Sequence, residues 1–261
     1  MPRQIVSIAL FALVTLALMP IQWLAVVLKS PLRRRIPVFY HRFVCWLLGI
    51  RVRRVGVPIS ARPLLIVANH SSWLDISVIT AQAPVVFVAK SEIARWPFFG
   101  LLAKLQRTVF VERDRRQKTA EVNAEIAQRL AEGDPVLLFG EGTAGDGNRV
   151  LPFRTALIGA AGAALAEHTG EIWIQPLSIA YLSQHGIPLG RYLRPRAAWY
   201  GKMGLVPHIA RIARLGAIDV AVTWGEPIAY NGKTDRKVLA RDLESAIRRF
   251  TTAALRGKPA A

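Results

Sequence analysis

The sequence places a histidine and an aspartate, His70 and Asp75, five positions apart, after an apolar run that ends at Ala68 and at the start of an apolar, helix-like segment. Residues five apart do not share a face of a regular helix. They can meet if His70 lies on the loop leaving a strand and Asp75 lies in the first turn of the next helix, where the helix N-terminus favours a carboxylate. The carboxylate would then hold the imidazole Nδ1–H and leave Nε2 outward as a base. The spacing therefore predicts a histidine–carboxylate dyad whose nucleophile comes from a substrate.

A second motif is the strand-like run from Phe110 that enters the basic turn ending at Arg116. Within it, Arg113 is a candidate for binding an anionic head group, because a guanidinium makes bidentate hydrogen bonds to phosphate or carboxylate. The alternative is a solvated turn in which Glu112 to Arg115 pair with one another. The motif alone leaves both interpretations open.

A third motif is the glycine-rich stretch from Phe139 to Gly147. Its small residues allow close backbone approach to a ligand, although an ordinary glycine-rich turn has the same composition. The stretch lacks the features of a P-loop and of a dinucleotide-binding fingerprint. Glu141 is a candidate for orienting the loop or an acceptor, and Arg149 and Arg154 are candidates for binding an anion nearby.

The charge balance indicates an anionic partner. The 261 residues include 35 Lys and Arg against 17 Asp and Glu, a net charge of +18, and no acidic residue precedes Asp75. A membrane surface fits this charge better than nucleic acid does, since the chain opens with an apolar run and carries no nucleic-acid motif. The single cysteine, Cys45, excludes an internal disulfide framework and a cysteine-rich zinc site.

The apolar run from Ile5 to Leu28 is long enough to cross a hydrocarbon core of about 30 Å. Pro20 predicts two shorter helical pieces, so a re-entrant or interfacial hairpin is an alternative to a full span. A signal peptide is a third interpretation, which the basic residues Lys29 and Arg33 to Arg35 oppose. The same basic residues predict a cytoplasmic location for this side of the run. We therefore expect a protein of the cell inner membrane with its catalytic part facing the cytoplasm.

From residue 63 onward, strand-like and helix-like runs alternate, which predicts an α/β domain: a mixed, largely parallel sheet covered by helices, behind an N-terminal membrane helix or hairpin. The division is a membrane-associated segment with a basic cluster over residues 1–62 and a catalytic domain over 63–261. The predicted strands are Leu64–Ala68, Val85–Ala89, Val109–Glu112, Val136–Phe139, Ile172–Ala180 and Ile218–Trp224. The predicted helices are Leu74–Ala81, Phe98–Leu105, Thr119–Ala131, Thr155–Glu167, Val206–Leu215 and Lys237–Leu255. The amphipathic run near Val206 has two interpretations, packing on the sheet or lying on lipid.

Taken together and in order, these motifs resemble the glycerolipid acyltransferase family, which includes bacterial 1-acyl-sn-glycerol-3-phosphate acyltransferases. The family's first block, Asn-His-x-x-x-x-Asp, falls on Asn69, His70 and Asp75, and its second, a strand ending in arginine, falls on Phe110 to Arg113. Its third block, Phe-Pro-Glu-Gly-Thr-Arg, falls on Phe139 to Ala144. Its fourth, a strand centred on proline, falls on Ile174 to Leu177, around Pro176. The resemblance implies that His70 is the general base and Asp75 its orienting partner. It also implies a head-group role for Arg113 and an acceptor site that includes Glu141, Gly142 and Thr143.

The resemblance implies transfer of an acyl chain from a thioester, carried by acyl carrier protein or coenzyme A, to a lysolipid hydroxyl, with no metal or cofactor. Two positions depart from the family pattern: Gly140 replaces a proline, and Ala144 replaces an arginine thought to help bind the acceptor phosphate. The stretch around Asp146 and the region Gly190–Tyr192 look like the branch of lyso-ornithine lipid acyltransferases. We expect lysophosphatidic acid as the acceptor, because Arg113, Arg149 and Arg154 can still bind phosphate, with a lyso-ornithine lipid as the alternative. A remote alternative is a non-catalytic protein that binds anionic lipids.

Overall fold

The computed structural model describes residues 2–112, 119–155, 158, 171–230 and 235–258. Its N-terminal part is a helical hairpin of α1 (Pro2–Val27) and α2 (Leu32–Leu47). The helix α1 continues through Pro20, so the prediction of two shorter pieces is wrong. A proline removes one backbone hydrogen bond. Buried contacts of α1 on both sides of it, at Thr15 and Gln22, are consistent with one continuous helix.

The helix α1 is apolar on all sides but packs through only one stripe. Thr15, Gln22 and Ala25 on this stripe are buried, whereas most side chains on the other faces are exposed. The segment Ile5–Val27 is long and apolar enough to cross a membrane. A helix that is apolar around its circumference and largely exposed is typical of contact with lipid.

The rest of the described chain alternates strands and helices, and most of the predicted elements are confirmed within one or two residues. The strands are β1 (Ile50–Val55), β2 (Leu64–Ala68), β3 (Val86–Lys90), β4 (Val109–Val111), β5 (Val136–Phe139), β6 (Ile172–Gln184), β7 (Ile187–Pro188), β8 (Ile218–Trp224) and β9 (Ile228–Tyr230). The helices are α3 (Leu74–Thr80), α4 (Phe99–Leu105), α5 (Thr119–Ala131), α6 (Gly190–Leu193), α7 (Leu205–Leu215) and α8 (Arg236–Leu255). Most of the helix predicted over Thr155–Glu167 lies outside the described residues.

The strands form one mixed, mostly parallel sheet in the order β1-β8-β6-β2-β5-β3-β4, with β7 and β9 also pairing with β6. The pairs along β6-β2-β5-β3-β4 and the pair β1-β8 are parallel, and β8 is antiparallel to β6. The predicted fold class is therefore confirmed. The carboxyl ends of β2 and β5 lie side by side, with Ala68 opposite Phe139. Loops at such ends commonly form sites in α/β sheets.

The central strand β2 is buried on both faces, as expected for a strand covered by helices on both sides. Leu64 and Ile66 belong to the core beneath α3, whereas Leu65 and Val67 belong to the core beneath α5 and α8. At about 0.8 kcal/mol per buried CH₂ group, these apolar side chains hold the sheet and its helices together. The loop after β2 therefore starts from a rigid position.

The hairpin is joined closely to the sheet domain. The strand β1 comes before the predicted boundary at residue 62, yet it pairs with β8 and belongs to the sheet. Arg33 and Arg34, at the start of α2, form ion pairs with Glu132 and Asp134 at the turn after α5, at 3.2 and 2.5 Å. Two arginines of the predicted basic cluster thus connect the hairpin to the sheet domain through ion pairs.

Candidate active site

The loop between β2 and α3 brings His70 and Asp75 together. His70 follows the end of β2, and Asp75 lies in the first turn of α3. The distance from His70 Nδ1 to Asp75 Oδ2 is 2.8 Å. The placement expected from the spacing is therefore observed. A carboxylate at Nδ1 requires a proton on that nitrogen, which leaves Nε2 as the basic atom of the ring.

The Asp75 carboxylate is fully buried and fixed by several donors. Its Oδ2 accepts hydrogen bonds from the backbone N–H groups of Ser71 and Ser72, at 2.7 and 3.0 Å. Its Oδ1 accepts one from the Tyr181 hydroxyl at 2.6 Å. Burial and the adjacent Asp75 raise the pKa of Tyr181, which keeps this hydroxyl protonated as a donor. A buried charge is tolerated when it is hydrogen-bonded in this way, and the carboxylate cannot turn away from His70.

The imidazole of His70 is held against Phe139 at the end of β5. The two rings are stacked with centroids 3.9 Å apart. The His70 side chain keeps 18% of its surface exposed, while Asp75 keeps none. In the described part of the chain, Nε2 has no hydrogen-bond partner. The arrangement presents one basic nitrogen to an incoming group and holds the other.

Asn69 and Pro176 support the strands beneath this loop. The Asn69 side chain donates to the carbonyl of Ile179 at 2.9 Å and accepts from its N–H at 2.8 Å, which extends the contact between β2 and β6 beyond the last paired residue. Pro176 lies where β6 changes its antiparallel partner from β9 to β8. A proline cannot donate to a ladder. At this junction its carbonyl accepts from the Gly225 N–H at 2.8 Å.

The glycine-rich stretch, residues 140–147, lies directly beside the dyad loop. The Gly140 N–H donates to the carbonyl of Ala68, and the Gly145 N–H donates to that of His70, each at 2.9 Å. A Cβ atom at Gly140 would lie 2.6 Å from the ring of Phe153. The close packing of Gly140 therefore excludes a larger residue unless Phe153 moves. Gly142 has a φ of +67°, which favours glycine.

Glu141 is buried beside the dyad, not exposed to an acceptor. Burial raises the pKa of its carboxyl from the usual 4.5 to about 8, an effect partly offset by the backbone N–H groups of Leu151 and His70. Its Oε2 has no hydrogen-bond partner within the described residues. A carboxyl with this pKa is mostly neutral at pH 7. Glu141 is therefore a buried part of the loop that lies beside the dyad. Thr143, in contrast, is exposed.

Of the three arginines predicted to bind an anion, two lie within the described residues. Arg149 and Arg154 are both exposed, and only the backbone of Arg154 contacts the loop, through its N–H and the carbonyl of Gly140 at 2.8 Å. Arg113 lies outside the described residues. Within the described residues, the dyad side of the predicted site is thus tightly assembled, whereas the side chains of Arg149 and Arg154 are exposed.

A cavity of about 250 Å³ is lined in part by His70 and was not predicted from the sequence. Its walls include residues of α1, α2, α3, β3, α4 and the start of α7, and so combine elements from the N-terminal hairpin and from the sheet domain. The lining is largely apolar and includes Phe11, Leu18, Met19, Ile36, Val44, Trp73, Ile76, Phe87, Trp96, Phe99, Leu102, Trp199 and Leu205. Several polar side chains among its walls have hydrogen-bond partners; His41, for example, forms hydrogen bonds with Ser77 and Gln106 at 3.1 and 3.0 Å. Such a cavity is suited to an aliphatic chain whose end must reach Nε2 of His70.

An acyltransferase family model matches residues 50–180, which span β1 to the middle of β6 and contain the dyad and the glycine-rich stretch. A lyso-ornithine lipid O-acyltransferase of Brucella abortus is 50% identical over 257 residues, covering 98% of this chain and 96% of that protein. The chain belongs to the acyltransferase family.

Other relatives of this acyltransferase are named for the same acceptor or for a different one. A lyso-ornithine lipid O-acyltransferase of Rhizobium meliloti is 48% identical and covers 95% of the chain. A 1-acyl-sn-glycerol-3-phosphate acyltransferase of Neisseria gonorrhoeae is 31% identical, covering 74% of the chain and 72% of that protein. The crystal structure of the 1-acyl-sn-glycerophosphate acyltransferase of Thermotoga maritima shares the fold, with a TM-score of 0.66 over 99% of this chain and 98% of that one, at 20% identity.

This acyltransferase therefore belongs with the lysolipid acyltransferases, a place that implies a lipid acceptor and an acyl donor. The long apolar helix α1 and the membrane-lipid chemistry of the relatives together indicate membrane association. Sequence reasoning missed Tyr181 and Phe139, which hold the two halves of the dyad. Their partners lie far away along the chain; Tyr181 stands in no motif, and the motif that begins with Phe139 gives no sign of a contact with His70.

Proposed function

We propose that the protein is a lyso-ornithine lipid O-acyltransferase. The observation that carries the proposal is 50% identity over nearly the full length of both chains to a protein of that name. Ala144, at the position where the related phosphate-acceptor pattern has an arginine, supports it. The expectation from the sequence ranked lysophosphatidic acid first, and the similarity now favours the other acceptor.

The proposed reaction uses the dyad as a general base. The acceptor hydroxyl approaches Nε2 of His70, which takes its proton as the hydroxyl oxygen attacks the carbonyl carbon of the thioester. The tetrahedral intermediate collapses, the C–S bond breaks, and the thiolate leaves and takes up the proton. Asp75 stabilises the imidazolium that forms in between. General-base catalysis of this kind contributes about 10²–10⁴-fold, and the rest is expected from positioning two bound lipids.

The cavity at His70 supports the acyl-transfer part of the proposal. An acyl chain bound there gains about 0.8 kcal/mol for each CH₂ group removed from water, and its carbonyl end stays at the opening, beside the dyad. We assign the cavity to the acyl chain of the donor. Whether that chain is carried by acyl carrier protein or by coenzyme A depends on surfaces beyond the cavity.

The head group of the acceptor is expected outside the dyad, near the exposed arginines. An ornithine with one acylated amine keeps a carboxylate and an ammonium at neutral pH. Arg149 and Arg154 are our candidates for the carboxylate, with Arg113 as a further candidate. A zwitterionic head group needs fewer cations than a phosphate monoester, which agrees with the alanine at position 144.

We further propose that the protein lies in the cell inner membrane with its catalytic domain in the cytoplasm. The proposal rests on the apolar segment Ile5–Val27 and the basic residues that follow it. Positively charged flanks of a membrane segment usually stay on the cytoplasmic side.

The test offers the purified full-length protein the two lysolipids with one acyl donor and compares kcat/KM. We expect a preference of more than about tenfold for the lyso-ornithine lipid, equivalent to about 1.4 kcal/mol. The variant His70→Ala serves as the control for turnover that does not depend on the dyad. Equal kcat/KM values for the two lysolipids, or a higher value for lysophosphatidic acid, would contradict the proposal and favour the phosphate acceptor.

A further inference from the structure

We propose that a second surface, apart from the exposed face of α1, rests on an anionic lipid bilayer and holds the cavity opening at the level of the lipid head groups. This surface, called the rim below, consists of Trp96, Phe98, Leu101, Trp199 and Val206. The inference depends on membrane association and not on which lysolipid is the acceptor.

The rim exposes large apolar side chains on elements other than α1. Phe98 is 39% exposed, Leu101 47% and Val206 70%. Phe98 also has a φ of +63°, a conformation that is strained for a bulky residue. The local fold thus keeps an aromatic side chain at the surface in spite of backbone strain. Strain retained in this way is a reason to look for a function.

The rim is continuous with the lipid-facing helix. The ring of Phe98 lies 6.2 Å from that of Phe11 on α1, and the rings of Trp96 and Trp199 lie 6.1 Å apart. Trp96, Trp199 and Phe11 also line the cavity, together with His70. A bilayer that covers the exposed face of α1 would therefore extend over the rim, and an acyl chain could pass between lipid and cavity without crossing water.

The helix α7 contributes the side of the rim that lies nearest to the dyad loop. Its exposed positions, 206, 207, 210, 213 and 214, follow helical spacing and are apolar except for Arg214. On the buried side, Nδ1 of His208 accepts a hydrogen bond from the indole N–H of Trp73 at 2.9 Å. Trp73 lies between His70 and Asp75 in the sequence. The helix that carries Val206 at the surface is therefore bonded to the loop that carries the dyad.

Exposed charges around the rim favour an anionic bilayer. Exposed cations on or next to the segments that carry the rim include Arg95, Lys104, Lys202 and Arg214, and Glu92 is an exposed acidic residue there. Lysine and arginine beside an apolar surface attract anionic lipids. An acidic acyl carrier protein would also meet the cations. We choose lipid because the centre of the rim is aromatic and aliphatic and joins the exposed face of α1.

The test measures the depth of two positions in the membrane. Val206→Cys and Val238→Cys are each labelled with an environment-sensitive fluorophore in the full-length protein; Val238, 44% exposed on α8, is the control. The wild-type chain, whose one cysteine, Cys45, is buried, serves as the labelling blank. In bilayers that contain anionic lipid and nitroxide-labelled lipid, we expect at least threefold stronger quenching at position 206 than at position 238.

A second measurement links the contact to activity. Val206→Asp is expected to lower the ratio of activity in bilayers to activity in detergent about five- to twentyfold, whereas Val238→Asp leaves this ratio unchanged. Equal quenching at the two labelled positions would overturn the proposal. So would a fluorophore at position 206 that responds to an acidic carrier protein and not to lipid. Neither measurement depends on the identity of the acceptor. A wrong assignment of the acceptor would therefore not be mistaken for a failure of the proposed membrane contact.

Discussion

The two sides of the candidate site differ in burial and in the number of hydrogen bonds that hold their side chains. On the dyad side, Asp75 is fully buried and accepts from two backbone N–H groups, from Tyr181 and from His70. On the head-group side, Arg149 and Arg154 are exposed side chains on a loop. We propose that the reaction is fixed by rigid geometry, whereas the acceptor is selected by long side chains that order when a ligand binds. Variants on the two sides should therefore differ sharply in effect.

The largest effect is expected at the dyad. His70→Ala should lower kcat by about 10²–10⁴-fold, because it removes the proposed general base. Asp75→Asn should be severely impaired, since it removes the charge that stabilises the imidazolium. Steady-state turnover of the purified variants, with folding checked by circular dichroism, measures both. His185→Asn is the matched control: His185 is exposed, and its φ of 51° is tolerated by asparagine. Turnover near that of the wild type in His70→Ala would contradict the proposed mechanism.

A smaller effect, on stability, is expected at Glu141, which lies between the two sides. Its folded pKa of about 8 is raised above the usual 4.5, so the native state holds the proton more tightly than the unfolded state does. The free energy of unfolding should therefore fall as the pH rises from about 4.5 to about 8. Glu141→Gln removes this contribution, and its stability should fall by about 1–4 kcal/mol less than that of the wild type between pH 5 and pH 8.

Denaturant unfolding in a fixed detergent at pH 5 and pH 8 measures this difference. Glu226→Gln, which changes an exposed carboxylate, is the control for the loss of one charge. A pH dependence in Glu141→Gln equal to that of the wild type would mean that the buried carboxyl is already ionised in the native state. Glu141 would then carry a charge beside the dyad in the native state.

The parts of the fold and the site that could be predicted from the sequence are those that depend on residues close together in the chain. The meeting of His70 and Asp75 follows from five positions of sequence and the geometry of a strand, a loop and a helix. In contrast, α2 and β1 were missed because arginines interrupt their apolar patterns: Arg33 to Arg35 open α2, and Arg51, Arg53 and Arg54 fall within β1. The hydrogen bond from Tyr181 to Asp75 joins residues 106 positions apart in the sequence. The cavity walls include residues of five separate helices. Such contacts depend on tertiary packing, which no local pattern encodes.

The smallest effect is expected at the exposed arginines. Contacts between exposed charges contribute about 0.2–1 kcal/mol, so Arg149→Ala and Arg154→Ala should each raise the acceptor KM only about 1.4- to 5-fold and leave kcat nearly unchanged. Initial rates at varied lysolipid and saturating donor measure both constants, with Arg236→Ala, at the exposed start of α8, as the control. A rise above about 30-fold for either variant, equivalent to about 2 kcal/mol, would mean that the arginine closes on the head group in a desolvated site. The head-group side would then be as tightly built as the dyad side once its ligand is bound, and the contrast between them would belong only to the unliganded protein.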